Sequence, residues 1–316
     1  MILARTIAAA AALAITGALA APFAYVSNEG SGTISVIDTA TDTVVRTITA
    51  GEKPRGIATS RDGSRVFVTE QAANALVAYD TASGERAGTV PVGRSPEATY
   101  LSPDGRTLSV AVEENDQIAL VDAAALKLER AIPVKGKNPE HAVWSPDGKL
   151  LFASAEDADS VDIIDVARGA VVASLKVGLR PRGIGFTPDG SHAYVAAENA
   201  GLVNVIDVKE QKVIATIPVA LRSNGVTMHP DGKRVFVSSG GAGTVQVIDT
   251  ATNKIVASVE VGQRPWNMAL TPDGSKLYVA CGRSGTVAVV DTKDYKKLRE
   301  IAVGKLPWGV AMGPAR

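Results

Sequence analysis

The chain has 316 residues, with 33 lysines and arginines balancing 33 aspartates and glutamates, and a single cysteine. This balance excludes the basic excess with which a nucleic-acid binder neutralises phosphates, and the polybasic patch of a membrane-surface protein. One cysteine excludes an intramolecular disulfide, and no Cys-x-x-Cys-His is present to attach a c-type haem.

Residues 1–20, MILARTIAAAAALAITGALA, read as a secretory signal peptide. Arg5 is followed by an apolar run and then by the small-residue site Ala18-Leu19-Ala20. Cleavage is expected after Ala20. The uninterrupted apolar run is too short for a comfortable bilayer span, which needs ~20 residues. No later segment is long and apolar enough to span. The mature protein is therefore expected to be soluble and exported, with a bacterial periplasm as its compartment.

From residue 21 onward one unit recurs. Asp38, Asp80, Asp122, Asp165, Asp207, Asp249 and Asp291 each end an apolar run, at spacings of 42 or 43 residues. A second marker is an Asp-Gly turn at Asp62, Asp104, Asp147, Asp189, Asp231 and Asp273, preceded by Pro in all but the first, and it drifts with the first marker. Seven such units account for nearly all of residues 21–316 and leave no room for a second domain. Each unit holds four short runs rich in β-branched residues and separated by turn residues. In Thr-Pro-Asp-Gly, proline presets φ at the second turn position and glycine takes the fourth. Four strands per unit of this length predict an all-β, seven-bladed β-propeller. The first strand signal, Phe23-Ala24-Tyr25-Val26, matches the second strand of a unit. The last, Trp308-Gly309-Val310-Ala311-Met312, matches a first strand. The N-terminal strands and the C-terminal strand are thus expected to share one blade and close the ring. The repeated aspartates are expected to accept backbone N–H groups in their turns, which is a structural role.

The units resemble the YVTN family of β-propeller repeats through PRGIATSRDG (54–63), AYVSN (24–28), TISVID (33–38) and TIPVA (216–220). The resemblance covers residues 22–314. The length, leader and seven-unit layout are also similar to exported propellers associated with PQQ-dependent alcohol catabolism. That resemblance implies a non-catalytic periplasmic binding or scaffold protein, with a partner in a quinoprotein dehydrogenase system.

In an antiparallel blade, the blade-to-blade connections share one face with the loops between second and third strands. The PDG turns lie on the other. After the proline position of those connections stand Arg55, Glu97, Glu140, Arg182, Asn224, Trp266 and Trp308. Scaffold positions repeat, and this one does not, so these side chains are expected to ring the mouth of the axial channel. Immediately before the proline position stand Arg180, Arg222 and Arg264. The facing loops add Glu29, Glu113, Glu156 and Glu198, with Glu70 one residue off their shared offset. An anionic planar ligand such as PQQ could stack on tryptophan and pair with arginine. The alternative on the same face is mutual Arg–Glu pairing, with the tryptophans filling the channel mouth.

Of three histidines, His229 belongs to a turn, His192 opens a strand, and only His141, after Glu140, falls on this face. That is no three-ligand zinc set, although a carboxylate-lined metal site is conceivable there. The expected assignment is no intrinsic cofactor, no resident metal, no catalytic residue and a monomer docking a protein partner. The alternative is a lactonase-type propeller hydrolase at the channel mouth, with Glu140 and His141 as acid and base. Cys281 reads as a small packing residue.

Overall fold

The computed structural model describes residues 22–315, so the proposed leader lies outside the described residues. Seven four-stranded antiparallel sheets are arranged as the blades of a propeller. Blade 1 runs, from the axis outward, Pro307–Met312, Phe23–Asn28, Thr33–Asp38 and Thr43–Thr49. The C-terminal strand therefore pairs with the N-terminal one, Val310 opposite Val26, and closes the ring. Blades 2 to 7 each take four consecutive strands. Their inner strands are Pro54–Thr59, Pro96–Leu101, Pro139–Trp144, Pro181–Phe186, Ser223–Met228 and Pro265–Leu270.

Stability comes from apolar packing between blades. Each pair of neighbours encloses one buried cluster, such as Phe67, Leu76, Leu108 and Val110 between blades 2 and 3. Another joins Phe152, Ile163, Ile184 and Phe186 between blades 4 and 5. A middle strand is covered on both faces, so Val66-Phe67-Val68 is buried without alternation. The outer strands alternate or lie exposed, and each carries a register shift against its neighbour. Such bulges help an edge strand avoid pairing with another chain.

Both repeat markers are turn devices. Asp38, Asp80, Asp122, Asp165, Asp207, Asp249 and Asp291 each accept a backbone N–H two or three residues on, at 2.6–2.9 Å. The Asp-Gly turns place Gly63, Gly105, Gly148, Gly190, Gly232 and Gly274 at φ near +70° to +77°. The two devices touch. The hydroxyl of Thr81, next to Asp80, donates to Gly63 O at 2.7 Å, and Thr250 and Thr292 repeat this on Gly232 and Gly274. In all six units that carry both markers a backbone bond also joins them, as from Thr81 N–H to Ser64 O and from Val166 N–H to Lys149 O.

Around the axis, the inner strands approach closely at their third position. A Cβ added at Gly183 would stand 2.5 Å from Asn224 O and 2.8 Å from Val226 N, and one at Gly56 would stand 2.4 Å from Glu97 O. Glycine is required where neighbouring backbones meet at this distance. Gly183→Ala is expected to destabilise the protein by roughly 1–3 kcal/mol through overpacking, read as a lower urea midpoint. Unchanged stability would mean the ring expands at little cost.

Candidate functional site

The face that carries the blade-to-blade connections also carries the loops after each second strand. Gln71 N–H bonds Lys53 O, and Glu156 N–H bonds Asn138 O, which ties one set to the other. The residue before each inner strand is left-handed: Lys53, Ser95, Asn138, Arg180, Arg222, Arg264 and Leu306 all have φ between +51° and +61°. This sharp reversal directs the chain into the axis. Glu113 and Glu156 each open a short 3-10 turn, Glu113–Asn115 and Glu156–Ala158.

The mutual-pairing alternative is what the structure shows for most of the charged residues. Arg182 reaches three carboxylates: Glu140, Glu156 at 3.1 Å and Glu198 at 2.8 Å. Arg180 holds Glu156 at 2.5 Å and Glu198 at 3.4 Å, and Arg264 holds Glu198 at 2.7 Å. Arg55 bridges Glu97 at 2.5 Å and Glu29 at 3.1 Å. An anionic ligand at Arg264 therefore competes with Glu198. Arg222 is exposed and makes no ion pair among the described residues. The tryptophans do not pair with one another. Trp266 lies against Gly282, and Trp308 stacks on His141, with centroids 6.2 Å apart and planes 20° apart. Asn224 is buried, with no partner for its Oδ1 among the described residues.

His141 occupies the inner-strand position that is glycine in blades 1, 2, 5 and 6, and it crosses the axis from blade 4 to reach Trp308 of blade 1. Its Nδ1 lies 2.6 Å from the hydroxyl of Tyr100, a blade 3 residue. Burial keeps the Tyr100 hydroxyl protonated, well above the ordinary tyrosine range. Nδ1 is the only hydrogen-bond acceptor that hydroxyl has among the described residues. The hydroxyl thus donates to Nδ1, and Nε2 carries the imidazole proton, an assignment made from the hydrogen-bond network. Burial also lowers the His141 pKa to about 4, so the ring is neutral at pH 7. Nε2 is buried without a partner. Tyr100 and Trp308 also line an axial cavity of about 360 Å³, walled by Ile57, Ile184, Met268 and Val310. His141 therefore sits between two residues of that cavity wall.

The carboxyls beside it differ in state. Burial opposes charge on Glu140, but Arg182 outweighs it and holds the carboxyl well below its ordinary range. Burial and the hydrogen bond to Glu140 push Glu156 up, and burial with the charge of Glu140 pushes Glu97 up. Glu140 keeps Oε1 on Arg182 and has the Glu156 carboxyl as a hydrogen-bonding neighbour, and its Oε2 has no other partner among the described residues.

Sequence reasoning missed Tyr100. The signal was present: its siblings are Ala58, Val143, Gly185, Thr227, Ala269 and Ala311, so a tyrosine breaks the repeat. Cys281 is fully buried in the cluster between blades 6 and 7, and burial raises its thiol to about 11. It is a packing residue. Among the described residues no helix is long and apolar enough to cross a membrane.

A family model described as Lactonase, 7-bladed beta-propeller matches residues 83–172 and 167–303. One described as YNCE-like beta-propeller matches residues 3–103. No curated protein matches the sequence. Among solved structures, Kuenenia stuttgartiensis hydrazine synthase is 24% identical, covering 90% of this chain and 99% of that one, with a TM-score of 0.79. A functionally unknown protein from Desulfotomaculum acetoxidans is 20% identical over 93% of this chain and 99% of its own, with a TM-score of 0.82. A Bacteroides fragilis protein provisionally named a 6-phosphogluconolactonase is 20% identical over 93% and 98%, with a TM-score of 0.78. At these identities the likeness is one of fold.

Removing one partner of a buried ion pair strands the others. Arg182→Ala is expected to cost roughly 3–5 kcal/mol, whereas exposed, unpaired Arg222→Ala should stay within about 0.5 kcal/mol. Chemical denaturation of the two variants side by side checks this. Equal effects would mean that the network is not what holds the mouth.

Proposed function

We propose, since the chain belongs to the lactonase family of seven-bladed β-propellers, that it hydrolyses a small lactone where the axial cavity meets the ion-pair face. One observation carries this reading. The unpartnered Nε2–H of buried His141 and the unpartnered Oε2 of its sequence neighbour Glu140 belong to the same inner strand at the channel mouth. The provisional naming of structural neighbours as 6-phosphogluconolactonases supports the same reaction class.

Lactone opening adds water to the ring carbonyl and breaks the bond from the carbonyl carbon to the ring oxygen, giving a hydroxy acid. Glu140, held charged by Arg182, orients the water, takes its proton and returns it to the departing ring oxygen. A neutral imidazole donates Nε2–H to the carbonyl oxygen as negative charge develops there. Tyr100 fixes the tautomer, and Trp308 fixes the plane of the ring. The apolar cavity wall receives the carbon skeleton, and few polar groups orient it, as in small-molecule sites generally.

A panel of five- and six-membered lactones, followed by proton release at constant pH, tests this. Glu140→Gln is expected to lower kcat by roughly 10²-fold or more, and His141→Asn by about 10²-fold, each with a small change in KM. Hydrolysis no faster than the spontaneous rate across the panel would remove the reading.

A second reading has its own observation. Leu179 and Leu221 lie exposed on adjacent connections, beside Arg180 and Arg222. Apolar side chains with arginine suit a protein partner. In this reading the same face docks a periplasmic partner, such as a quinoprotein dehydrogenase of PQQ-dependent alcohol oxidation, without catalysis. Leu221→Asp is expected to abolish co-purification with that dehydrogenase. Undiminished capture by the variant counts against docking through this face.

A further inference from the structure

The mouth carries more carboxyl groups than ion-paired arginines. Blades 3 and 4 alone place glutamate both on the inner strand and on the facing loop, as Glu97 with Glu113 and Glu140 with Glu156. Blades 2 and 5 place Arg55 and Arg182 on the inner strand, and blade 6 places Asn224 there. The four guanidiniums of Arg55, Arg180, Arg182 and Arg264 face six carboxylates, those of Glu29, Glu97, Glu113, Glu140, Glu156 and Glu198. Of these six carboxyls only Glu113 has no arginine partner among the described residues, and it belongs to the wedge of blades 3 and 4.

That wedge converges. One carboxylate oxygen from each of Glu113, Glu140 and Glu156 lies within 4.8 Å of the other two. Glu97 is tied to the same place through shared partners. Gln71 Nε2 donates to Glu97 Oε1 and to Ser95 Oγ, both at 2.8 Å, and Ser95 Oγ donates to Glu113 Oε2 at 2.7 Å. The charges of Glu140 and Glu113 both act on Glu97. A second observation is independent of this convergence. Glu97 is 0% and Glu140 3% exposed, yet Oε2 of each has no partner among the described residues. Each has its other oxygen on an arginine, so the unpaired oxygens are the ones the ion-pair network leaves over. A buried carboxylate oxygen in that state is costly unless something fills the space between.

We propose that Glu113, Glu140 and Glu156 form a divalent-cation site beside Glu97, and that its cation is hard and of calcium size. The donor set is all oxygen, which disfavours zinc and softer metals. Calcium takes oxygens at about 2.3–2.6 Å with flexible geometry, which suits carboxylates spread over two blades, whereas magnesium demands about 2.0–2.1 Å and near-octahedral order. Arg182 keeps Oε1 of Glu140, and Oε2 is left for the ion. Glu113 also lines a surface cavity of about 390 Å³, together with Lys53, Gln71, Ser95 and Glu114. The site shares Glu140 with the hydrolytic centre proposed above, but its test reads binding and does not depend on turnover.

Purified, EDTA-treated protein titrated with calcium chloride by isothermal calorimetry is expected to bind one ion per chain, with a Tm that rises with calcium concentration. Magnesium should bind more weakly. Glu113→Gln is expected to weaken calcium binding by about tenfold or more, while Glu114→Gln, its exposed neighbour outside the cluster, leaves it unchanged. The absence of both heat and Tm shift with millimolar calcium overturns the proposal, and so do equal losses in the two variants.

Discussion

Everything at the axis follows from how closely seven inner strands approach one another. Where Gly183 faces the backbone of Asn224 and Val226, there is no space for a methyl group. Four blades meet that constraint with glycine at the third inner-strand position, and the others place Ala98, His141 and Asn267 there. Because the strands are so close, the residues one step earlier, from Arg55 round to Trp308, are forced into a single crowded ring. Long charged side chains in such a ring cannot stay apart. They pair across blades, and the site is defined by what that pairing leaves unsatisfied.

This changes the meaning of the arginines. Read along the chain, Arg180, Arg222 and Arg264 form an arc that invites an anion. In space, Arg180 and Arg264 are committed to Glu156 and Glu198, and only Arg222 faces solvent unpaired. What the pairing leaves over includes Nε2 of His141 and the second oxygens of Glu97 and Glu140, which have no hydrogen-bond partner among the described residues. Burial without a partner is unfavourable for each of them, which is the usual condition of groups kept for a ligand rather than for the fold.

The fold was legible in the sequence because it is written seven times. Two turn markers in step, and strand signals out of phase at the two ends, specified the blades and the closure. The face was legible because its residues depart from the repeat. The partnerships were not. Arg182 reaching Glu140 and Glu198, or His141 crossing to Trp308, depends on side-chain direction at the axis, and a 42-residue period says nothing about contacts between blades on opposite sides of it. Tyr100 was overlooked for a related reason, since an aromatic residue in a strand looks like core until its hydroxyl finds a histidine.

The contact of His141 with Trp308 has a consequence for how the molecule comes into being. Trp308 belongs to the strand that closes the ring, and Tyr100 and His141 are laid down 208 and 167 residues earlier. Six blades can assemble with the tyrosine–histidine pair in place and the far wall still missing. The pocket is finished by the same docking event that joins the two ends of the chain. Until that strand is seated, the cavity lacks the wall that Trp308, Gly309 and Val310 supply.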